Sequence, residues 1–325
     1  MNLRREFQIE VGGRQVVLGA RTLIMGVLNV TPDSFSDGGR YLDPDRAVER
    51  GIELARQGAD WIDVGSESTR PGAQPVLAEE ELRRALPVIR ALHRKLRGVP
   101  ISIDTTKAEV AEQALDAGAS ILNDVSGLRF DRRLAEVACR SGAPLILMHL
   151  RGRPETMQKQ PFARDIWRSL ANGVETSIHR ALAAGVKRSQ LILDPGLGFG
   201  KSRRQNYQIL AGLAKLRDLR LPVLVGASRK SFVQAIVAGE GLDPSPSRRR
   251  MRPYWLIAGS HGREIARRQG SEQMNSALLS AGDAAAVVAA ILGGAHIVRA
   301  HDPAAILPAV RIADAVLAAS HGRIP

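Results

Sequence analysis

Eight short apolar runs in this chain each end in a cluster of small, polar or charged residues, and this recurrence narrows the possible folds more than any other feature of the sequence. The run ends are Asn29 after LIMGVL, Gly65 and Ser66 after WIDV, Asp104 after PISI, Asn123 and Asp124 after SIL, His149 after PLILM, Asp194 after LIL, Ser228 after PVLVGA, and Arg299 with His301 after HIV. Between them lie longer stretches with apolar residues at helical spacing, such as DRAVERGIELARQGAD and EEELRRALPVIRALHRKL. Parallel strands cannot be joined by tight hairpins, so the alternation predicts parallel strands with crossover helices. The runs are continuously apolar, as expected when helices cover one face and a barrel interior the other. Eight units in 325 residues fit a closed (β/α)8 TIM barrel better than an open doubly wound sheet, because a barrel of roughly 250 residues uses nearly the whole chain. The C-terminal strand ends of a barrel share one mouth, so the polar run ends are expected to converge there.

With 44% hydrophobic residues, the chain can bury a sizeable core as a single domain over residues 1–325. Its one cysteine, Cys139, falls in the apolar stripe of DRRLAEVACR; it excludes an intramolecular disulfide and reads as a structural thiol in a reducing cytoplasm. The N-terminal MNLRREFQIE has no apolar signal core. The longest apolar stretch, AAAVVAAILGGA at 284–295, is too short to span a bilayer, so neither secretion nor a membrane anchor is expected. The net charge of +13 suits an anionic partner, either nucleic acid or a phosphorylated small molecule. Residues 243–281 hold seven arginines against Asp243, Glu264 and Glu272, which leaves +9 on the rest of the chain. RRRMR at 248–252, followed by Tyr254 and Trp255, superficially resembles a basic patch with stacking aromatics. No nucleic-acid motif accompanies it, and no nucleic-acid partner is expected.

The segment DPGLGFGKS, Asp194 to Ser202, ends like a phosphate-binding P-loop. The glycine required five positions before Gly200 is Pro195, however, and Lys201 stands where a dinucleotide fingerprint needs its third glycine. What remains is a strand followed by alternating glycines, with an acid at the base of the loop and Phe199 near its tip. Such a loop lets the backbone approach a flat ligand closely.

MGVLNVTPDSFSDGG at 25–39, IDVGSESTRPGA at 62–73, SIDTTK at 102–107, ILND at 121–124, LMH at 147–149, LDPGLGFGK at 193–201, LVGASRKSF at 224–232 and GAHIVRAHD at 294–302 together resemble dihydropteroate synthase. The match runs over residues 20–240 and 282–318, in the family's order and spacing. The resemblance implies a (β/α)8 barrel that condenses 6-hydroxymethyl-7,8-dihydropterin pyrophosphate with 4-aminobenzoate, releasing pyrophosphate on the route to folate. It also implies a cytoplasmic homodimer and a target of sulfonamides, which mimic the aminobenzoate. The expected architecture is completed by an N-terminal β-hairpin and an insertion at 242–281, before strand eight, containing the amphipathic stretch HGREIARRQGSEQMNSALL.

The residues suit that chemistry. The amino and ring N–H donors of a pterin match a carboxylate bidentately, and Asp194 at a strand end can supply it. By the resemblance, Asp104, Asn123, Met148 and Lys230 complete the pterin subsite. Asn29, Thr69, Arg70, Arg299 and His301 form the pyrophosphate subsite, and Arg299 is capable of a two-pronged phosphate contact. Phe35, Thr69, Pro71, Phe199, Lys230 and Ser231 surround the aminobenzoate, while Asp33, Phe35, Thr69 and Arg70 lie on two closing loops. Asn29 corresponds to a ligand of Mg2+, which a single neutral oxygen suits if substrate oxygens and water hold most of the ion. Asp104, Asp194, Lys230, Arg299 and His301 are the expected catalytic residues. Several of these positions also have purely structural readings. Thr106 with Glu109 reads as a capping box, Asp194-Pro-Gly as a turn, Ser228 as the cap of the next helix, and Asp302 with Pro303 as a helix start.

Two positions depart from the family's usual residues: Ser66 replaces a glycine, and Asp283 replaces a serine or threonine. Asp283 and the insertion keep in view a catalytically silent pterin-binding paralogue, and the pterin-binding module of a corrinoid methyltransferase, which shares the barrel and the pterin-binding acids, is a further alternative. The retained NVTPDSFSDGG and SRKS motifs, with no cobalamin-binding segment, favour the synthase.

Overall fold

The chain begins with a hairpin, β1 (Phe7–Val11) and β2 (Arg14–Leu18), whose turn places Gly12 and Gly13 at φ +55° and +75°. Two consecutive left-handed residues are what a tight two-residue hairpin turn requires, and glycine adopts them without strain. The computed structural model describes residues 4–31, 43–69, 72–159, 162–242 and 271–320, and the side chains of 271–275 are also outside it. The expectations for Asp33, Phe35, Arg70, Pro71 and the RRRMR patch therefore lie outside the described residues.

All eight apolar runs form parallel strands: β3 (Leu23–Asn29), β4 (Trp61–Gly65), β5 (Ile101–Asp104), β6 (Ile121–Asp124), β7 (Leu145–Met148), β8 (Leu191–Asp194), β9 (Leu224–Val225) and β10 (Ile297–Ala300). Pairing runs from β3 in order to β8, and from β3 through β10 to β9. The Leu193–Val223 bridge, with Leu193 N–H donating to the Pro222 carbonyl at 2.9 Å, joins β8 to the β9 side and closes the barrel. The helices are α1 (Pro44–Arg56), α2 (Ala78–Lys95), α3 (Ala108–Asp116), α4 (Arg133–Ser141), α5 (Ile166–Ala183), α6 (Arg203–Ala211), α7 (Ser231–Val237), α8 (Ser271–Leu292) and α9 (Pro303–Ala319). This is the expected (β/α)8 barrel with its hairpin.

Strand parity sorts the core into two compartments. Leu23, Met25, Trp61, Ile121, Ile146, Ile192, Leu224 and Ile297 pack together with Ile9, Val11 and Leu18, so the hairpin closes the N-terminal end of the barrel. Residues one position out of phase, including Ile62, Val64, Ile101, Ile103, Leu122, Leu145 and Leu193, pack with the helices instead. A period of two along each strand produces this split.

Local capping agrees with the sequence in some places and corrects it in others. Asp43 caps α1 by accepting from Asp45 N–H at 2.9 Å, and Asp302 caps α9 by accepting from Ala305 N–H at 3.1 Å, with Pro303 in the first turn. The Thr106–Glu109 capping box does not form. Helix α3 starts at Ala108, whose N–H donates to Asp131 Oδ2 at 3.0 Å, so a carboxylate from the following unit occupies that role. Ser228 is not a cap either, because α7 begins at Ser231 after Lys230. Cys139 is a half-buried free thiol. Helix α8 runs without a break through position 281, so the family-like sequence resumes inside a helix.

Candidate active site

Two residues beyond the apolar interior layer, the same strand faces become polar. Asp63, Asn123, Met148, Asp194 and Arg299 follow Trp61, Ile121, Ile146, Ile192 and Ile297 at the same parity. Asn29, Gly65, Asp104 and Asn123 lie side by side in register across β3 to β6. Parity also removes two of the polar run ends from the mouth. Asp124 is fully buried and accepts from Ser126 and Leu128 N–H at 2.8 and 2.5 Å, which shapes the turn after β6. His149 is packed outside the barrel, where burial lowers its pKa to about 2 and keeps it neutral.

Arg299 is the hub of the floor. Its Nε donates to Asp63 Oδ2 at 2.6 Å and its Nη2 to Asp104 Oδ2 at 2.9 Å, and Asn123 Nδ2 donates to the same Asp63 oxygen at 2.9 Å. Asp63, which the sequence did not single out, thus joins two expected site residues, Arg299 and Asn123, and Arg299 reaches a third, Asp104. The available signal was a carboxylate inside the apolar run WIDV, a placement that is costly unless a partner is present. Burial raises Asp104 above the ordinary carboxylate range, while the Arg299 guanidinium pulls it back down. Asp194 is likewise raised by burial, and its Oδ1 accepts from Gly196 N–H at 2.7 Å.

Above this floor opens a cavity of about 420 Å3 whose lining includes Asn29, Thr69, Asp104, Phe199, Lys230, Ser231, Arg299 and His301. Asn123, Met148 and Asp194 are not in its lining; they are buried at 4%, 3% and 7% exposure. A second hollow shares Glu67, Ser68, Thr69 and Asp104 with it. The loop carrying Thr69 is braced by Lys107, which pairs with Glu67 and, at 2.7 Å, with the buried Glu81.

The glycine loop after β8 owes its sequence mainly to its neighbours. Gly196, Gly198 and Gly200 all have left-handed φ, and a Cβ on Gly196 or Gly200 would stand 2.2 Å or 2.4 Å from the carbonyl oxygen of His149 or Arg151. Lys201, 2% exposed, donates to the carbonyls of His149, Gly196 and Phe199 at 2.9, 2.7 and 3.1 Å, and fastens the loop to the end of β7. Two of the three glycines therefore serve a close approach of loop to loop, where the sequence suggested a ligand. The third faces the cavity, because a Cβ on Gly198 would meet Lys230 Cδ at 3.1 Å. Lys230 Nζ lies 4.0 Å from the centre of the Phe199 ring, a cation–π contact that joins two expected site residues. Burial, assisted by the positive Arg299, lowers the Lys230 pKa to about 8, against the opposing pull of Asp194 and Asp104.

Residues 25–301 match the family model of pterin binding enzymes. The chain is 42% identical to the dihydropteroate synthase of Synechocystis sp., covering 92% of this chain and 91% of that protein, and 40% identical to that of Escherichia coli K12, covering 92% and 93%. Among solved structures it resembles the Yersinia pestis dihydropteroate synthase in complex with a sulfonamide drug, at 35% identity and a TM-score of 0.78 over 96% of this chain and all of that one. It also resembles the Xanthomonas albilineans enzyme with 4-aminobenzoic acid, at 36% identity and a TM-score of 0.77 over 99% of this chain and all of that one.

Proposed function

The chain belongs to the dihydropteroate synthases within the family of pterin-binding enzymes, and from that premise we propose how its own side chains divide the reaction. The enzyme is a transferase of folate biosynthesis: it joins 6-hydroxymethyl-7,8-dihydropterin pyrophosphate to 4-aminobenzoate, giving 7,8-dihydropteroate and pyrophosphate. The observation that carries the assignment is an acidic floor of Asp104 and Asp194 beside a cationic rim of Lys230 and Arg299 at one barrel mouth. That arrangement suits a ligand with a donor-rich ring at one end and a polyanion at the other.

Asp194 and Asp104 accept from the donor edge of the pterin, Asn123 adds its amide, and Met148 packs on the ring. Arg299, His301, Asn29 and Thr69 face the pyrophosphate. Arg299 already binds two carboxylates through Nε and Nη2, so it stiffens the floor as well as offering charge to the leaving group. Phe199, Thr69 and Ser231 enclose the aminobenzoate. Lys230, stacked on Phe199, stands between the two substrates. The likeness to the Yersinia structure extends the reading to sulfonamides as occupants of the aminobenzoate subsite.

Among the described residues no group of three or more His, Cys, Asp or Glu could hold a metal ion, and Asn29 offers one neutral amide oxygen in the cavity wall. That donor set fits a hard ion such as Mg2+ carried mainly by pyrophosphate oxygens and water. When bound, Mg2+ would neutralise charge on the leaving group. No side chain is required as a strong base. An aryl amine attacks once the C–O bond has loosened, and the electron-rich dihydropterin delocalises the developing cation, so catalysis rests on positioning, anion stabilisation and exclusion of water.

No helix among the described residues is long and apolar enough to cross a membrane. The single free cysteine supports a cytoplasmic setting. The exposed Leu278 on α8 and Ile312 and Val316 on α9 support a homodimer. Purified protein should release pyrophosphate only when pterin pyrophosphate, 4-aminobenzoate and Mg2+ are all supplied. Absence of turnover with pterin binding intact would assign the chain to the silent paralogues.

A further inference from the structure

The turn after β9 is anchored by Asp283. Asp283, on α8 and 9% exposed, accepts from Arg229 N–H at 3.1 Å on Oδ1 and 2.9 Å on Oδ2, and from Ser228 Oγ–H at 3.0 Å on Oδ2. Gly282 makes this reach possible, because a Cβ there would stand 2.6 Å from Val237 Cγ2 and force α8 away from α7. The Ser228 hydroxyl, 5% exposed, also faces the backbone N–H of His301 at 3.4 Å and the His301 ring at Nδ1 at 3.3 Å.

A hydroxyl has one proton to donate and two lone pairs to accept with. The Asp283 carboxylate can only accept, so it takes the proton. The His301 backbone N–H can only donate, so it takes one lone pair. The remaining lone pair faces His301 Nδ1, and that nitrogen must therefore be the donor. We infer that Asp283 is a positioning residue which, through Ser228, fixes the ring proton of His301 on Nδ1. In the neutral ring the lone pair then belongs to Nε2, so His301 can present an N–H to a pyrophosphate oxygen from Nε2 only as the imidazolium, with its charge. A serine or threonine at 283 could itself donate to Ser228 and would not impose this order.

The consequence for pyrophosphate rests on the proposed placement of His301, but the tautomer does not, and it can be read without substrate. In the full chain labelled with 15N-histidine, at about pH 8.5 where an ordinary imidazole is neutral, the His301 signals are assigned by their loss in His301→Gln. The parent should show a protonated Nδ1 and an unprotonated Nε2. Asp283→Asn, whose amide oxygen can take the place of Oδ2 and accept from both Ser228 and Arg229, should keep that pattern. Asp283→Ala and Ser228→Ala should each shift the proton to Nε2, the form a free imidazole prefers. A parent ring protonated on Nε2 would overturn the inference, as would retention of the Nδ1 proton in Ser228→Ala or in a folded Asp283→Ala. If Asp283→Ala does not fold, Ser228→Ala decides alone. Loss of pyrophosphate release would bear on the proposed function and leaves this readout unchanged.

Discussion

Asp63→Asn tests the hub of the site. The substitution keeps the shape of the side chain and opens no cavity, so its effect is electrostatic. Asp63 is fully buried, and its Oδ2 receives Arg299 Nε at 2.6 Å and Asn123 Nδ2 at 2.9 Å. An amide oxygen can accept both bonds, but without the charge. A hydrogen bond to a charged group contributes about 1.5–3 kcal/mol and a neutral one about 1 kcal/mol. The change therefore removes roughly 1–2 kcal/mol at Arg299 and roughly 0.5–1 kcal/mol at Asn123. Breaking a buried ion pair outright costs about 3–5 kcal/mol. Arg299 keeps Asp104 at 2.9 Å, so the sum of these two losses, about 1.5–3 kcal/mol, is expected and not the larger cost of an outright broken pair. Urea denaturation should show this as a lower midpoint with an unchanged slope. A double-mutant cycle with Arg299→Met should give a coupling of about 2 kcal/mol. A single-variant loss and a coupling both within roughly 0.5 kcal/mol of zero, the value for independent sites, would refute the description of Asp63 as the partner that holds Arg299.

Asp194→Asn places an amide donor against the donor edge of the pterin and should weaken pterin binding by about 2–4 kcal/mol; calorimetry showing unchanged affinity would remove Asp194 from the subsite. The Lys230 pKa is lowered to about 8, so its cation is present below that pH and lost above it. If that cation serves binding, kcat/KM measured against pH should fall through an apparent pKa near 8, and Lys230→Arg should move the fall to higher pH. A fall that stays in place in Lys230→Arg would refute the assignment of the titrating cation to Lys230. Replacing residues 244–269, short of the start of α8, with a Gly/Ser linker should leave both Michaelis constants within a few-fold of the parent; loss of turnover in a variant that is folded by circular dichroism would make the basic segment part of the site.

The eight units, the hairpin and the shared mouth could all be read from the chain, because burial of a parallel strand on both faces leaves a local apolar signature and barrel geometry places the strand ends together. The resemblance also named Asp104, Asn123, Lys230, Arg299 and His301, and the fold brings them to one mouth around the cavity and its floor. Which polar run ends face that mouth was a matter of strand parity. The run ends Asp124 and His149 read like Asp104 and Asp194 in one dimension, yet they point out of the barrel.

Partnership was decided by tertiary structure alone. Asp63 and Arg299 are 236 positions apart, and Ser228 and Asp283 are 55 apart, so neither pair leaves a periodic trace. The Thr106–Glu109 capping box was a sound local reading that lost to Asp131, delivered from the next unit. The loop glycines were legible as glycines, but their reason, carbonyls of the neighbouring strand end within 2.4 Å of a hypothetical Cβ, exists only once β7 and β8 are paired. Apolar periodicity is written residue by residue and survives in the sequence. The charge balance of a buried site depends on which distant side chains share one low-dielectric space, and that is set only when the barrel closes.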